Sequence, residues 1–236
     1  MGDEINGRLS SDSNYWATPW DVFEPLAEEF NFRLDAAASH WNAKPAGGAF
    51  ISKEEDALTV DWAALLGRLH GLRPWKPEKL HRIQRARTAA ARGAVWLNPP
   101  YGRARDIEGR PFGGALLDPF IRKAYEESRK GLTVVVLCFA RPDTALWEDV
   151  IMRASEVRFI RSRVKFARED GATGPAPAPS CLVIFRPGED GPPRFSVWHR
   201  RRCPCPNCKE RINHERESIR DRPRDSGGAQ TNGAPL

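Results

Sequence analysis

The sequence predicts an α/β protein with a mainly parallel sheet and helices on both faces. Short apolar runs typical of strands alternate with helical segments along most of the chain. The strongest run, LTVVVLCF at 132–139, is apolar throughout, as expected of a strand that is buried on both faces. Asp35, Asn98 and Arg141 each stand at the end of a predicted strand. A parallel sheet would bring these ends to one edge, where ligands bind.

The first predicted helix is WATPWDVFEPLAEEF at 16–30, with Thr18 as its cap and Pro19 at its first helical position. Residues 63–94 are basic and are predicted to be helical, with an interruption at RPWKP. Further strands are predicted at 31–38, 94–97 and 132–139, in EVRFIRS and at 180–188, with a weak strand at 48–58. Further helices are predicted at 116–131 and in ARPDTALWEDVIMRA. Loops are predicted at 103–114, which is Gly-rich and charged, and in the Pro-rich GATGPAPAPS between the last two strands.

Length and composition exclude several classes of protein. The chain has 236 residues, 40% of them hydrophobic, which is enough for a sizeable core. No apolar run is long enough to cross a membrane, and the polar N-terminus lacks the apolar stretch of a signal peptide. Five cysteines, an odd number, do not suggest a disulfide framework. We expect a cytoplasmic monomer with a flexible segment at 1–15, one domain at 16–202 and a disordered tail at 203–236.

The net charge of +6 is unevenly distributed along the chain. Residues 14–61 carry nine acids and three bases, whereas residues 62–94 carry eight bases and one acid. A second basic segment, EVRFIRSRVKFAR at 156–168, also contains aromatic residues. A charge run is most often a solvated face, but two basic segments with aromatic residues favour a polyanion such as nucleic acid. Candidate contacts are Arg82, Arg85, Arg141, Lys165 and Phe166.

The strand at 94–97 is followed by Asn98, Pro99, Pro100 and Tyr101. The prolines alone would suit a stiff loop, because they cannot extend a sheet. The residues on either side of them also suit a pocket for a planar amine. The side-chain carbonyl of Asn98 and the main-chain carbonyl of Pro99 are two acceptors for the hydrogens of an exocyclic NH₂. Tyr101 supplies a flat face for the ring that carries the amine.

These residues resemble a known family, the phage-type DNA N6-adenine methyltransferases, which use S-adenosylmethionine and carry a D/N-P-P-Y/F motif. The resemblance runs from about Trp16 to Arg186 and implies a Rossmann-like class I methyltransferase fold. Ala36, Ala37 and Ala38 stand where many methyltransferases have glycines. The matching blocks, in chain order, are WATPWDVF, LDAAASHWNA, EEDAL followed by Trp62, LNPPYG, ARPDTALW, and RVKF to PSCLVIF.

The resemblance implies methyl transfer from S-adenosylmethionine to adenine N6 in double-stranded DNA, in a bacterial or phage-infected cell. The target base would be flipped out of the duplex and stacked on Tyr101, with Phe166 as a possible second face. Asn98 and Pro99 would hold the amine, and no metal is needed. Thr18, Pro19, Asp35, Asp56 and Asn98 would contact the cofactor. The alternatives are that Thr18, Asp35 and Asp56 are caps, that Phe166 is a core residue, and that Arg141 pairs with Asp143.

Two other functions are compatible with parts of the sequence. Asn-Pro-Pro-Tyr also occurs in methyltransferases that act on protein glutamine, but the basic segments argue against that substrate. A non-catalytic DNA-binding module on a methyltransferase scaffold would not need the intact motif.

The C-terminal region contains a candidate zinc site. Cys205 and Cys208 have C-x₂-C spacing, with Cys203 just before them and His199 and His214 as possible further ligands. A second C-x₂-C pair is missing, so a tail that happens to contain thiols is the alternative.

Overall fold

The computed structural model describes residues 16–44, 49–71, 92–105, 111–167 and 172–200. The chain divides into two units, 1–203 and 204–236, and the second lies outside the described residues. Within the described ranges, no helix has the length and hydropathy needed to span a bilayer.

A six-stranded sheet forms the centre of the fold. Its strands, in spatial order, are β1 (Phe32–Asp35), β2 (Ala94–Leu97), β5 (Thr133–Phe139), β9 (Ser180–Phe185), β6 (Glu156–Ile160) and β10 (Arg194–Trp198). β9 is antiparallel to both of its neighbours, and the other neighbouring pairs are parallel. Two antiparallel hairpins flank this sheet, β3 (Arg103–Arg105) with β4 (Pro111–Ala115), and β7 (Lys165–Ala167) with β8 (Thr173–Pro175). The predicted mainly parallel sheet is confirmed.

Helices cover both faces of the sheet, as predicted. The helix α1 (Trp20–Phe30) packs Phe23 and Leu26 into one apolar cluster with Trp96 and Leu182 of the sheet. The opposite face is covered by α2 (Trp62–His70), α3 (Leu117–Arg129) and α4 (Ala145–Asp149), which a 3₁₀ turn (Ile151–Arg153) follows. Successive residues of a strand point to opposite faces, so β5 contributes Val134 and Val136 to one cluster, and Val135 and Leu137 to the other.

The start of α1 corrects the predicted cap. The last extended residue before the helix is Pro19, with φ −69° and ψ 148°, and its carbonyl accepts the N–H groups of Val22 and Phe23. Thr18 therefore lies one residue outside the cap position, and α1 has no side-chain cap. Thr18 is instead buried, with 3% of its surface exposed.

Several other predictions were wrong in part. The predicted loop at 103–114 contains β3 and β4, and the Pro-rich segment contains β8. The weak strand at 48–58 is reduced to one bridge between Phe50 and Asp35. The helix predicted after Arg141 is the short α4 and its 3₁₀ turn, and β10 was not predicted.

The topology brings the predicted polar residues to one edge. β1, β2 and β5 are adjacent and parallel, so their carboxyl ends lie side by side. Asp35 is the last residue of β1, Asn98 directly follows β2, and Arg141 is two residues beyond β5. The prediction that these three residues share one edge is confirmed.

Candidate active site

Asn98 is held in one orientation by the segment that precedes α1. Its side-chain nitrogen Nδ2 donates to the carbonyl oxygen of Trp16 at 2.7 Å. That segment is itself fixed, because Ala17 N donates to the carbonyl of Ala167 in β7 at 2.9 Å. Since the nitrogen points to Trp16, Oδ1 of the half-buried Asn98 points to the other side, 3.2 Å from the hydroxyl of Tyr101.

Tyr101 is fixed at both its hydroxyl and its ring. The hydroxyl donates to the carbonyl oxygen of Leu137 at 2.8 Å, and the ring stacks on Phe139 with centroids 4.3 Å apart. Burial, followed by the nearby thiols of Cys138 and Cys181, holds the pKa of the Tyr101 hydroxyl well above its ordinary value. The group therefore stays a neutral donor at physiological pH. Because one face of the ring is covered by Phe139, only the opposite face can receive another ring.

The two prolines between these residues turn the chain out of the sheet. Pro99 is buried and Pro100 is half-buried. Neither has an N–H to extend the ladder of β2, so the strand ends at Leu97. Asn98 and Tyr101 are three residues apart in sequence. The fixed φ of the two prolines between them helps to hold their side chains close enough to meet.

Phe166 packs between the rings of Trp16 and Tyr101, on the side of this site that faces the core. Its ring centroid lies 6.3 Å from those of both Tyr101 and Trp16, and only 3% of the residue is exposed. A side chain so deeply buried packs in the core, which is the second of the two interpretations drawn from the sequence. Lys165, its neighbour in β7, is exposed.

Asp35 organises the loop that follows β1. The carboxylate accepts from the main-chain N–H of Lys44 at 3.0 Å, and more weakly from that of Ala37 at 3.5 Å. Burial raises its pKa to about 6, against the opposing effect of these N–H groups and of the Lys44 side chain. The neighbouring alanines need no special conformation, because Asn31, Asp56 and Ser162 are the non-glycine residues with positive φ within the described ranges.

Asp56 occupies an exposed turn beyond Ile51, which pairs with Asp35. Its backbone is left-handed, with φ 52°, and its Oδ1 accepts from Leu58 N at 3.1 Å. The turn is further closed by Thr59, whose N–H and hydroxyl both donate to the Asp56 carbonyl. These contacts make Asp56 a local turn former. The helix cap expected as its alternative role is wrong, because the cap of α2 is Asp61, whose side chain accepts from Ala64 N.

Three exposed basic residues lie at or near the same edge. Arg141 follows β5, Arg161 follows β6, and Lys165 begins β7. Across the described ranges, none of the three forms an ion pair with another residue.

At the opposite edge of the sheet, the carboxylate of Glu156 forms ion pairs with Arg158, Arg186 and Arg194. Burial raises the pKa of Glu156, but these hydrogen bonds outweigh that effect and lower it to about 2.

Some sequence-derived candidates lie outside the described residues. They are Arg82, Arg85, Cys203, Cys205, Cys208 and His214. In the part of the chain that is described, no group of three or more His, Cys, Asp or Glu side chains is placed to hold a metal. The exposed His199 follows β10.

Comparison with known proteins identifies the family. The family model of DNA N-6-adenine-methyltransferase (Dam) matches residues 7–203, which include every element described above. The chain belongs to the Dam family of DNA N6-adenine methyltransferases. Its reaction is the methylation of adenine in DNA.

The individual relatives share limited sequence identity with this chain. The DNA N-6-adenine-methyltransferase of Haemophilus phage HP1 is 28% identical to this Dam-family protein over 183 residues, 75% of this chain and 81% of the relative. A solved Listeria monocytogenes structure, assigned to the class I S-adenosylmethionine-dependent methyltransferases, is 17% identical with a TM-score of 0.29. The match covers 53% of this chain and 42% of that one.

The structure adds three residues to the candidate site of this methyltransferase. Trp16 orients Asn98 through its carbonyl, Leu137 accepts the Tyr101 hydroxyl, and Phe139 supports the Tyr101 ring. Phe139 could have been found from the sequence, because it is the aromatic residue that ends the strongest predicted strand. The other two act through backbone carbonyls, which any residue type would supply, so no signal in the sequence marks them.

Proposed function

We propose that the loop from Asn98 to Tyr101 holds the N6 amine of an adenine flipped out of double-stranded DNA. The observation that carries this proposal is the orientation of Asn98. Its nitrogen is engaged by Trp16, so its oxygen is left to face the hydroxyl of Tyr101. The Tyr101 hydroxyl has one hydrogen, and the shorter bond takes it to Leu137. Oδ1 of Asn98 therefore remains available as an acceptor.

The chemistry needs acceptors at the amine. Asn98 Oδ1 and the Pro99 carbonyl would accept the two amine hydrogens and so direct the nitrogen lone pair away from the ring. As the nitrogen takes on positive charge in the transition state, these two dipoles would stabilise it. They are positioned before the reaction, by the contact with Trp16 and by the proline ring, so little reorganisation is required.

Tyr101 would bind the base through the ring face that Phe139 leaves uncovered. The stack of Tyr101 on Phe139, backed by Phe166, forms a rigid aromatic platform next to Asn98. A flipped base laid on it would have its amine directed at the acceptors. Base–aromatic stacking is worth about 1–3 kcal/mol, which offsets part of the cost of unstacking the base.

S-adenosylmethionine, which supplies an electrophilic methyl group, would bind at the neighbouring end of β1. The residues there fit it in size and charge. Ala36, Ala37 and Ala38 are small, and Asp35 uses one lone pair of each carboxylate oxygen for the loop and keeps others for an ammonium or a hydroxyl. Thr18, Pro19 and Asp56 stay proposed contacts of the same cofactor.

Double-stranded DNA would approach along the carboxyl edge of the sheet. Arg141 and Lys165, with Arg161 beside them, offer exposed charges there without ion-pair partners in the described ranges. Arg82 and Arg85 stay proposed phosphate contacts. We further propose that the protein acts as a monomer.

Methyl transfer to unmethylated duplex DNA tests this function. Purified protein, tritiated S-adenosylmethionine and duplex DNA should yield N6-methyladenine when the product is digested and its nucleosides are separated. Label in cytosine or in protein glutamine, or no label in any acceptor, would contradict the proposal.

A further inference from the structure

Ser180 carries a buried hydroxyl that the protein does not satisfy. Only 1% of the residue is exposed. Within the described ranges, its Oγ is the one buried side-chain polar atom that lacks a hydrogen-bond partner. Such an atom loses its bonds to bulk water without replacement, so it destabilises the folded protein unless a ligand or a bound water contacts it.

The hydroxyl lies at the edge of the sheet that holds the proposed amine site. Ser180 is the first residue of β9, and its position in the ladder is directly opposite Phe139 of β5. The pairing continues one step further, because Ala140 N donates to the carbonyl of Pro179 at 2.8 Å. Since β9 is antiparallel, its beginning coincides with the carboxyl end of β5.

The pleat places Ser180 on the same face as the aromatic platform. In β9, Leu182 and Ile184 belong to the cluster that contains Phe166, whereas Cys181 and Val183 belong to the cluster on the opposite face. The alternation assigns Ser180 to the first of these faces. Phe139 packs on that same cluster and carries the stacked Tyr101. Directly opposed residues have Cβ atoms about 5 Å apart, so Ser180 is a neighbour of the platform.

Resting on the proposed function, we propose that the Ser180 hydroxyl donates a hydrogen bond to the ring of the target adenine, at N1 or N7. Both nitrogens are acceptors, and they lie on either side of the exocyclic amine. For this bond, the base stacked on Tyr101 with its amine at Asn98 must present one of these two nitrogens towards β9. The bond supplies the missing partner of the hydroxyl only when the base is bound.

The alternative is that serine is present only because a small side chain fits. The two explanations differ in what Ser180→Ala does to stability. Removing an unsatisfied hydroxyl leaves the free protein as stable as before, or more stable, and removes the contact with the base. The matched control is Ser155, also buried, whose Oγ accepts from Arg186 N at 2.9 Å at the opposite edge of the sheet.

The first experiment compares Ser180→Ala with Ser155→Ala in urea unfolding and in kcat/KM on duplex DNA. We expect Ser180→Ala to keep or raise the unfolding midpoint and to lower kcat/KM by about tenfold, the effect of one neutral hydrogen bond. Ser155→Ala should lower the midpoint and keep wild-type kcat/KM. A lowered midpoint for Ser180→Ala, or a kcat/KM within twofold of wild type, overturns the proposal.

The second experiment replaces the target adenine by its 1-deaza, 7-deaza or 3-deaza analogue. Each analogue lacks one ring nitrogen, and its intrinsic reactivity cancels when the two proteins are compared. One of the first two should slow the wild type about tenfold more than it slows Ser180→Ala, whereas the 3-deaza analogue should slow both equally. Equal slowing by all three overturns the proposal. A wild-type protein without activity on adenine would instead refute the proposed function.

Discussion

The side-chain amide of Asn98 donates to the carbonyl oxygen of Trp16 across 82 residues of sequence, at 2.7 Å. The nitrogen and oxygen ends of a side-chain amide have nearly the same shape, and this bond determines which end points in which direction. It points the nitrogen at the segment before α1 and the oxygen towards Tyr101. The side chain of Asn98 is therefore already oriented, with its oxygen towards the proposed amine site, before DNA binds.

Asn98→Asp tests the importance of this orientation. The substitution keeps an acceptor towards Tyr101 but places an ionised oxygen against the Trp16 carbonyl, so we expect a methylation rate between those of wild type and Asn98→Ala. Protonation restores a donor to Trp16, so the rate relative to wild type should rise as the pH is lowered from 8 towards 5. A ratio that does not change with pH would show that the contact with Trp16 is unimportant.

Tyr101 makes separable contributions through its hydroxyl and its ring. Tyr101→Phe keeps the stack on Phe139 and loses the bond to Leu137, so we expect a loss of about 1 kcal/mol in unfolding free energy and most of the DNA affinity retained. Tyr101→Ala also removes the platform, so affinity for DNA with an unpaired target base should fall by about 1–3 kcal/mol. Equal affinities of the two variants in a fluorescence titration would contradict the stacking role.

The sequence marked the candidate loop more clearly than its surroundings. An amide, two prolines and a tyrosine form a distinctive group of residue types, so a role for Asn98 and Tyr101 could be proposed from residue type alone. Phe166 was ambiguous, because burial depends on the packing of β7 against residues that are distant in sequence. Lys44 illustrates the same difficulty, since a lysine is rarely buried, yet here its ammonium lies 4.1 Å from the centre of the Trp20 ring.

Asp35 should make stability fall as the pH rises. Its pKa is raised from 3.8 to about 6 in the folded state, so its stabilising contribution is complete below about pH 3.8 and is lost as the pH rises through about 6. The shift corresponds to roughly 3 kcal/mol. An asparagine amide does not titrate, so Asp35→Asn should gain most of that amount relative to wild type between pH 4 and pH 7 in urea unfolding. Parallel stability curves for the two proteins would contradict the raised pKa.

Replacing Arg141, Arg161 and Lys165 together by alanine should weaken binding to all DNA sequences alike. The slope of log affinity against log salt should decrease in magnitude by about one for each lost phosphate contact. Arg194→Ala is the matched control, since Arg194 lies at the opposite edge and is paired with Glu156. A salt slope that changes as much in this control as in the triple variant would argue against DNA at the carboxyl edge.

The sheet was predictable where strands are buried on both faces and less so at its margins. β2, β5 and β9 are continuous apolar runs, and each was identified. β10 was missed although Phe195 and Val197 alternate with polar residues, because the strand is short, four of its five residues are exposed, and it lies in a segment rich in turn formers. The antiparallel direction of β9 could not be predicted either, since the pattern of a buried strand is the same in both directions.

The single-turnover methylation rate of Asn98→Ala tests the central claim most directly. At saturating S-adenosylmethionine, the variant should bind duplex DNA as wild type does, unfold at the same urea concentration to within the loss of one hydrogen bond, and methylate adenine about 10²-fold more slowly. That result would place the contribution of Asn98 in the transition state. A rate near that of wild type in the folded variant would contradict the assignment of Asn98 as the acceptor for the amine.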